Sequence, residues 1–280
     1  MIKIGIICPI PHLQEFAVQS NFHLVLPHLI KQFPKYKEFY RKRAAEGDFV
    51  LLDNSIFELD KPLEDDELVD IYLENGFSEV VAPETINDSL KSAVQLDKFL
   101  NRILQRGLRI PVLAMIQGRN FSGMLGYAEE LNGVKEITTL GVPFRLEEVD
   151  EDVSNIVSLT LKRVFARWNF LDQLNDYGIK YDTYFKALHL MGLSDAFELQ
   201  KYNKGNYKCL KIRSNDSSSA FIHGGRELLY TDRGLPCEKI SSKLDFTQDL
   251  HNIDSYELVL KASINHNIKM IKKFAGYDGY

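Results

Sequence analysis

The sequence predicts an α/β fold: a single-domain (β/α)8 barrel of the TIM type. Three observations predict it. Short apolar runs alternate with helix-like segments throughout, a pattern that implies parallel strands joined by helical crossovers. Seven such runs are convincing strands, which fits an eight-stranded barrel better than its runner-up, a doubly wound open sheet. No GxGxxG turn follows the first strand and no Walker-type loop is present, which weakens a dinucleotide- or nucleotide-binding reading of that open sheet. No internal repeat, low-complexity tract or linker divides residues 1–280, so one domain is expected.

Each element follows from local pattern. Ile2–Ile7 reads as the first strand. Phe22–Ala45 reads as helical pieces broken at Pro27 and Pro34. Phe49–Leu52 is a buried-strand run ending in Asp53. Asp65–Asn75 places Leu68, Ile71 and Tyr72 at helical spacing, with Gly76 as its stop. Glu79–Ala82 is a strand that ends in Pro83-Glu84, and Asn87-Asp88 caps a long helix to about Gly107. Pro111–Ile116 is a strand ending in Gln117-Gly118, and Phe121–Leu131 is helical. Glu136–Leu140 is a strand broken by Gly141-Val142-Pro143. Val153–Tyr177 is a long helix. Phe185–Leu190 is a strand, followed by Met191-Gly192 and a helix to about Tyr202. Cys209–Ile212 is the last strand, and Phe246–Phe274 is mostly helical.

Composition narrows the function classes. The chain is 45% hydrophobic and 26% charged, as globular proteins are. No apolar run reaches about 18 residues, so no membrane span or membrane partner is expected. The amino-terminal MIKIGIICPIPHLQEF lacks the layout of a signal peptide and reads as a strand. Cys8, Cys209 and Cys237 are an odd, scattered set, which fits a reducing, cytoplasmic compartment. No Cys/His cluster has zinc-ligand spacing, so no metal is expected. The net charge of −5 counts mildly against a nucleic-acid substrate, though a local basic patch suffices. Candidate patches are Lys35, Lys37, Arg41, Lys42 and Arg43, and then Lys162, Arg163 and Arg167. The simpler reading of both is a solvated helix face.

A barrel gathers the carboxyl ends of its strands on one rim, where its chemistry lies. Asp53, Glu84, Gln117, Leu140-Gly141, His189, Gly192 and Asp216 fall at such ends. Singly, each has a bland reading: Asp and Asn cap helices and form turns, and a histidine in an apolar run is usually a core residue. Together they place three acids, an amide, a histidine and glycine turns on one rim. Carboxylates sharing a pocket cannot be equivalent, and one keeps its proton. Glycosidic-bond chemistry needs that division: an ionised acid attacks the anomeric carbon and a protonated one assists the leaving group. A third acid is then free to accept the N–H donors of a guanine edge.

Six stretches in order carry a resemblance: LLDNSIFEL (51–59), EVVAPETINDS (79–89), VLAMIQGRN (112–120), ITTLGVPFRL (137–146), ALHLMGLSDAFEL (187–199) and IRSNDSSSAF (212–221). The chain resembles the tRNA-guanine transglycosylase superfamily, and more closely its phage and archaeal branch that places 7-deazaguanines in DNA (DpdA-like). The resemblance implies a guanine/7-deazaguanine transglycosylase, a pentosyltransferase that works through a covalent aspartyl-glycosyl intermediate and needs no cofactor. It implies Asp216 as nucleophile and Asp53 as acid/base. It implies base contacts from Glu84, where the family usually has aspartate, from Gln117, and from the backbone N–H of Gly141 beside Leu140. His189 and Gly192 fall near the pocket.

The chain also departs from the family. Only Cys237 follows Asp216, so the zinc site of the tRNA enzymes is absent. The family's double glycine after the acid/base aspartate is Asn54-Ser55. The expected partners are DNA, with tRNA as the alternative, and a preQ0-like 7-deazaguanine base, in the host cytoplasm if the chain is phage-encoded. Oligomeric state, the C7 substituent and sequence context stay open. A free-nucleoside deoxyribosyltransferase or glycosidase on the same barrel, and a non-catalytic nucleic-acid-binding relative, are the alternatives. Ser217, Ser218 and Ser219 either orient Asp216, contact phosphate or simply form the turn.

Overall fold

The computed structural model describes residues 1–240, 243–250 and 257–277. Eight parallel strands form one sheet: β1 Lys3–Ile6, β2 Phe22–Val25, β3 Phe49–Leu52, β4 Glu79–Val81, β5 Val112–Met115, β6 Ile137–Val142, β7 Ala187–Leu190 and β8 Ile212–Ser217. Around them lie α1 Pro27–Gln32, α2 Pro34–Ala45, α3 Ile56–Leu59, α4 Asp65–Asn75, α5 Ser89–Gln105, α6 Phe121–Gly133, α7 Leu159–Tyr181, α8 Leu199–Asn203, α9 Ser219–Gly224 and α10 Glu257–Phe274. The strand order β1-β8-β7-β6-β5-β4-β3-β2 runs in steps of one, and its two ends, β1 and β2, meet. Ser20 bridges that seam, its hydroxyl bonded to Ile4 O and its oxygen accepting the Phe22 N–H at 3.1 Å. The fold is the (β/α)8 barrel that the alternating pattern predicts.

Several elements match their local signals. α4 begins with Asp65, Asp66 and Glu67, whose charges suit a helix amino terminus, and stops at Gly76 with φ 65°. Asp88 caps α5 by accepting the Lys91 N–H at 3.0 Å. α7 buries Phe170, Leu171 and Leu174 completely against the barrel, each contributing roughly 1.5–3 kcal/mol by leaving water.

Five expectations needed correction. β2 was read as helix: Phe-His-Leu-Val is a four-residue apolar run, too short for periodicity to separate strand from helix. The helix begins only at Pro27, where a missing N–H is harmless. β8 runs from Ile212 to Ser217, not Cys209 to Ile212. Its polar residues are unlike a strand's, but parallel partners on both sides, β1 and β7, satisfy its backbone. β6 continues through Leu140 and Gly141 to Val142 instead of breaking there. The long helix begins at Leu159, after a short turn at Glu151–Val153. Of the expected helix Phe246–Phe274, residues 246–250 form a turn instead, residues 251–256 lie outside the described residues, and α10 supplies the helix from Glu257.

The barrel floor is sealed by charge and aromatic stacking. Glu79, 1% exposed, accepts from Arg213 Nη2 at 2.7 Å and from the hydroxyls of Thr138 and Thr139 at 2.6 Å. The Arg213 guanidinium lies 4.7 Å from the Phe49 ring, and Phe49 stacks on Phe22 at 5.5 Å. Removing one partner of such a pair strands a buried charge, at about 3–5 kcal/mol. The opposite rim carries Asp53, Glu84, Gln117 and Asp216.

Candidate active site at the barrel mouth

Asp216 sits near the end of β8, 5% exposed. Its Oδ1 accepts the Gly192 N–H at 3.0 Å and lies 3.1 Å from His189 Nε2. His189 Nδ1 is 2.9 Å from Ser214 Oγ. A carboxylate accepts only, so the ring donates to it from Nε2. Ser214 and Asp216 are two apart on one strand and share a face. The second Asp216 oxygen makes no hydrogen bond among the described residues. Gly5 on β1 leaves room beside it: a Cβ there would stand 3.4 Å from the Asp216 Cβ and 3.2 Å from the Phe22 ring.

Asp53 follows β3 directly and is 6% exposed. One oxygen accepts the Ser55 N–H at 2.9 Å. Burial pushes its carboxyl well above the usual range, and the negative charges of Glu58, Asp216 and Glu84 push the same way. Both effects favour its protonated form, and the charge of Asp216 contributes to the second. The turn after it is tight. Ser55 takes the left-handed conformation, φ 61°, and its hydroxyl meets His28 Nδ1 at 2.8 Å. Asn54 donates to Ala82 O at 2.9 Å and accepts the Ile56 N–H at 3.0 Å. The Asn-Ser pair thus holds a backbone shape that glycine adopts freely.

Glu84 and Gln117 form one unit. Gln117 Nε2 donates to Glu84 Oε2 at 2.5 Å, and Gln117 Oε1 accepts the Asn87 N–H at 2.9 Å. Burial raises the Glu84 carboxyl to about 7, against the opposing hydrogen bonds of Gln117 and Asn54. Gly141, in register with Met115 and His189, faces the interior where a Cβ would collide with Met115 Sδ. Leu140 is fully buried, and strand alternation turns its side chain to the opposite face of the sheet from Gly141.

Of the predicted site residues, Asp216, His189 and Gly192 are directly hydrogen-bonded, Glu84 and Gln117 are bonded to each other, and Asp53 feels the charge of both acids. Ser217 Oγ accepts the Ser219 N–H at 2.9 Å, so those serines serve the turn into α9. Three contributors were missed. Glu58, also pushed up by burial, is the strongest charged neighbour of Asp53; it stood five residues on in the quoted LLDNSIFEL. Ser214 becomes visible once β8 is extended. Arg167 was grouped with a surface basic patch, yet it is 0% exposed and Arg163 only 8%. Its place among Val164, Ala166, Phe170 and Leu171 marks a buried face of α7. The other patch, on α2, is a solvated helix face: Lys37 pairs with Glu74 and Arg43 with Glu46 and Asp48.

Fold and rim together define a parallel (β/α)8 barrel whose strand ends gather buried acids around a histidine-supported aspartate. Comparison with protein-family models and with curated proteins finds no match for the chain. Among the described residues, no group of three or more His, Cys, Asp or Glu side chains is arranged to hold a metal ion, and no helix is long and apolar enough to cross a membrane.

Proposed function

We propose that the chain is a base-exchange transglycosylase that replaces guanine in DNA with a 7-deazaguanine. The observation that carries this reading is the pairing of unlike acids. Asp216 is oriented through one oxygen with the other free of hydrogen bonds among the described residues, and burial and neighbouring carboxylates push Asp53 toward its protonated form.

The target nucleotide leaves its stack and enters the mouth. The free oxygen of Asp216 attacks C1′ as the C1′–N9 bond breaks, and the bonding pair goes to the base. Asp53 delivers its proton to that base. The incoming 7-deazaguanine returns a proton from N9 to Asp53, and N9 attacks C1′. The ester bond to Asp216 breaks and the carboxylate is restored. Two inversions retain configuration. Glu84 and Gln117 supply the acceptor and the amide suited to a guanine-type edge. The Ser55 turn keeps a glycine-like shape, which weakens the case for a non-catalytic relative.

Labelled 7-deazaguanine incorporation into guanine-containing DNA, with tRNA assayed in parallel, tests the reading. Asp216→Ala should abolish incorporation and any denaturation-resistant protein–DNA adduct. Undiminished incorporation by a folded Asp216→Ala protein would sink the assignment. A free-nucleoside exchanger is favoured by the net charge of −5; it predicts turnover of deoxyguanosine with no salt-dependent DNA binding.

A further inference from the structure

Phe144 stands at the mouth, two residues beyond β6. Its ring lies on Gly192, where a Cβ would come within 3.0 Å of it, and Gly192 holds Asp216. Three cations surround that ring. Arg145 is 5.5 Å from its centroid, Arg163 5.4 Å and Lys239 4.8 Å. Arg145 also lies 5.8 Å from Phe57, whose ring is 6.3 Å from Phe144. Among the described residues only Arg163 has a carboxylate within ion-pair distance, Glu147 at 2.6 Å. Arg145 is exposed and forms no ion pair among the described residues. Lys239 likewise has none, and its ammonium donates to the Leu193 carbonyl.

Three like charges on one ring repel each other, and Glu147 is the one carboxylate in direct ion-pair contact with them among the described residues. Burial and the neighbouring Arg163 and Arg167 lower Lys239 to about 8, against the opposing charges of Glu198 and Asp216, so an anion arriving beside these cations relieves an unfavourable arrangement. An aromatic face with cations above it is the usual platform for a nucleotide: the ring takes a base or sugar and the cations take its phosphate.

We propose that Arg145 and Lys239, stacked on Phe144, bind the phosphate that flanks the reacting nucleotide. The placement deepens the functional reading given above, because a sugar whose C1′ faces Asp216 carries its phosphates toward the adjacent rim. The ligand chemistry is a phosphate ester on a nucleoside, supplied by a polynucleotide or by a free nucleotide.

Binding of a labelled guanine-containing single-stranded oligodeoxynucleotide to the full chain tests this, with deoxyguanosine 5′-monophosphate and deoxyguanosine as competitors. Arg145→Ala and Lys239→Gln should each weaken oligonucleotide binding about tenfold. Each should also reduce the slope of log affinity against log salt by about 1. Deoxyguanosine competition should not change. Glutamine at 239 keeps a donor for Leu193 O, and circular dichroism checks the fold. A double variant with wild-type affinity and salt slope overturns the proposal, as does an equal loss for deoxyguanosine. Direct binding of labelled deoxyguanosine 5′-monophosphate that both variants weaken, without oligonucleotide binding, supports the site and assigns it to a free nucleotide; binding of neither overturns it. If the wild-type chain incorporates no labelled base into DNA while the salt slope still falls in these variants, base exchange fails and the phosphate site stands.

Discussion

Arg167 holds the peptide turn that presents Gly192 to Asp216. Its guanidinium donates to Met191 O at 3.0 Å and to Gly192 O at 3.2 Å, and Asn215 adds a donor to Gly192 O at 2.7 Å. With the carbonyls gripped from behind and Gly192 at φ 63°, the Gly192 N–H points at Asp216 Oδ1. Glu198 receives the other side of the guanidinium, 2.8 Å from Nη2, and also accepts from Tyr202 at 2.8 Å.

Arg167 is accordingly a positioning residue. Arg167→Lys keeps a charge beside Glu198 but cannot span both the carboxylate and the two carbonyls. We expect the variant to fold with a lowered Tm and to lose roughly 10–100-fold in the rate of covalent adduct formation, about the range for a lost supporting contact. KM for the incoming base should hold, because Glu84 and Gln117 are untouched. Unchanged adduct kinetics with a lowered Tm would reduce Arg167 to a structural role.

Glu84 gives a pH signature. A carboxyl raised from 4.5 to about 7 on folding binds more protons in the folded chain than in the unfolded one. Its full contribution is present below pH 4.5, and stability falls as pH rises through 4.5 to about 7. Glu84→Gln should remove that decline, worth roughly 3 kcal/mol at about 1.4 kcal/mol per pH unit. Denaturant midpoints measured from pH 5 to 8 read the difference. Reading a guanine edge requires the ionised form, so guanine affinity should climb about tenfold per pH unit below 7 and level off above it. A flat affinity profile would remove Glu84 from base recognition.

Asp53→Asn separates stability from function. The carboxyl of Asp53 is raised well above 3.8 by burial and by Glu58, so its ionisation at higher pH destabilises the fold. The amide cannot ionise, and the variant should be more stable than wild type at neutral and alkaline pH. It should lose about 10²–10⁴-fold in base exchange, the usual worth of a general acid/base. A thermal melt beside a single-turnover assay checks both, and a variant that is stabilised yet fully active would rule out proton transfer by Asp53.

How far the sequence reached follows from which interactions are local. α4 and α5 were legible because Gly76 and Asp88 act within one turn of the residues they cap. β2 was not, since four apolar residues carry no period and only pairing with β3 makes them a strand. Ser214, Asn215 and Asp216 looked like loop because polar residues disfavour strands in isolation; their strand state comes from β1 and β7, neighbours far away in the chain. Strand-end position alone was enough to pick out Asp53, Glu84, Gln117 and Asp216. It did not expose Arg167 or Lys239, which reach the mouth from α7 and from a segment beyond α9.

Ser55 is the remaining departure that experiment can weigh. A non-glycine residue in the left-handed region costs roughly 1–2 kcal/mol, and Ser55 offsets this through its hydroxyl at His28 and its N–H at Asp53. Glycine relieves the strain and keeps the N–H, but loses the hydroxyl bond, worth about 1 kcal/mol. Ser55→Gly should therefore leave stability within about 1 kcal/mol of wild type. With the Asp53 contact retained, exchange activity should persist. Ser55→Val puts a branched side chain where positive φ is least tolerated, and should lower Tm and activity together. If Ser55→Gly instead lost activity while melting normally, the hydroxyl and His28 would belong to the reacting site, and the turn would be more than a support for Asp53.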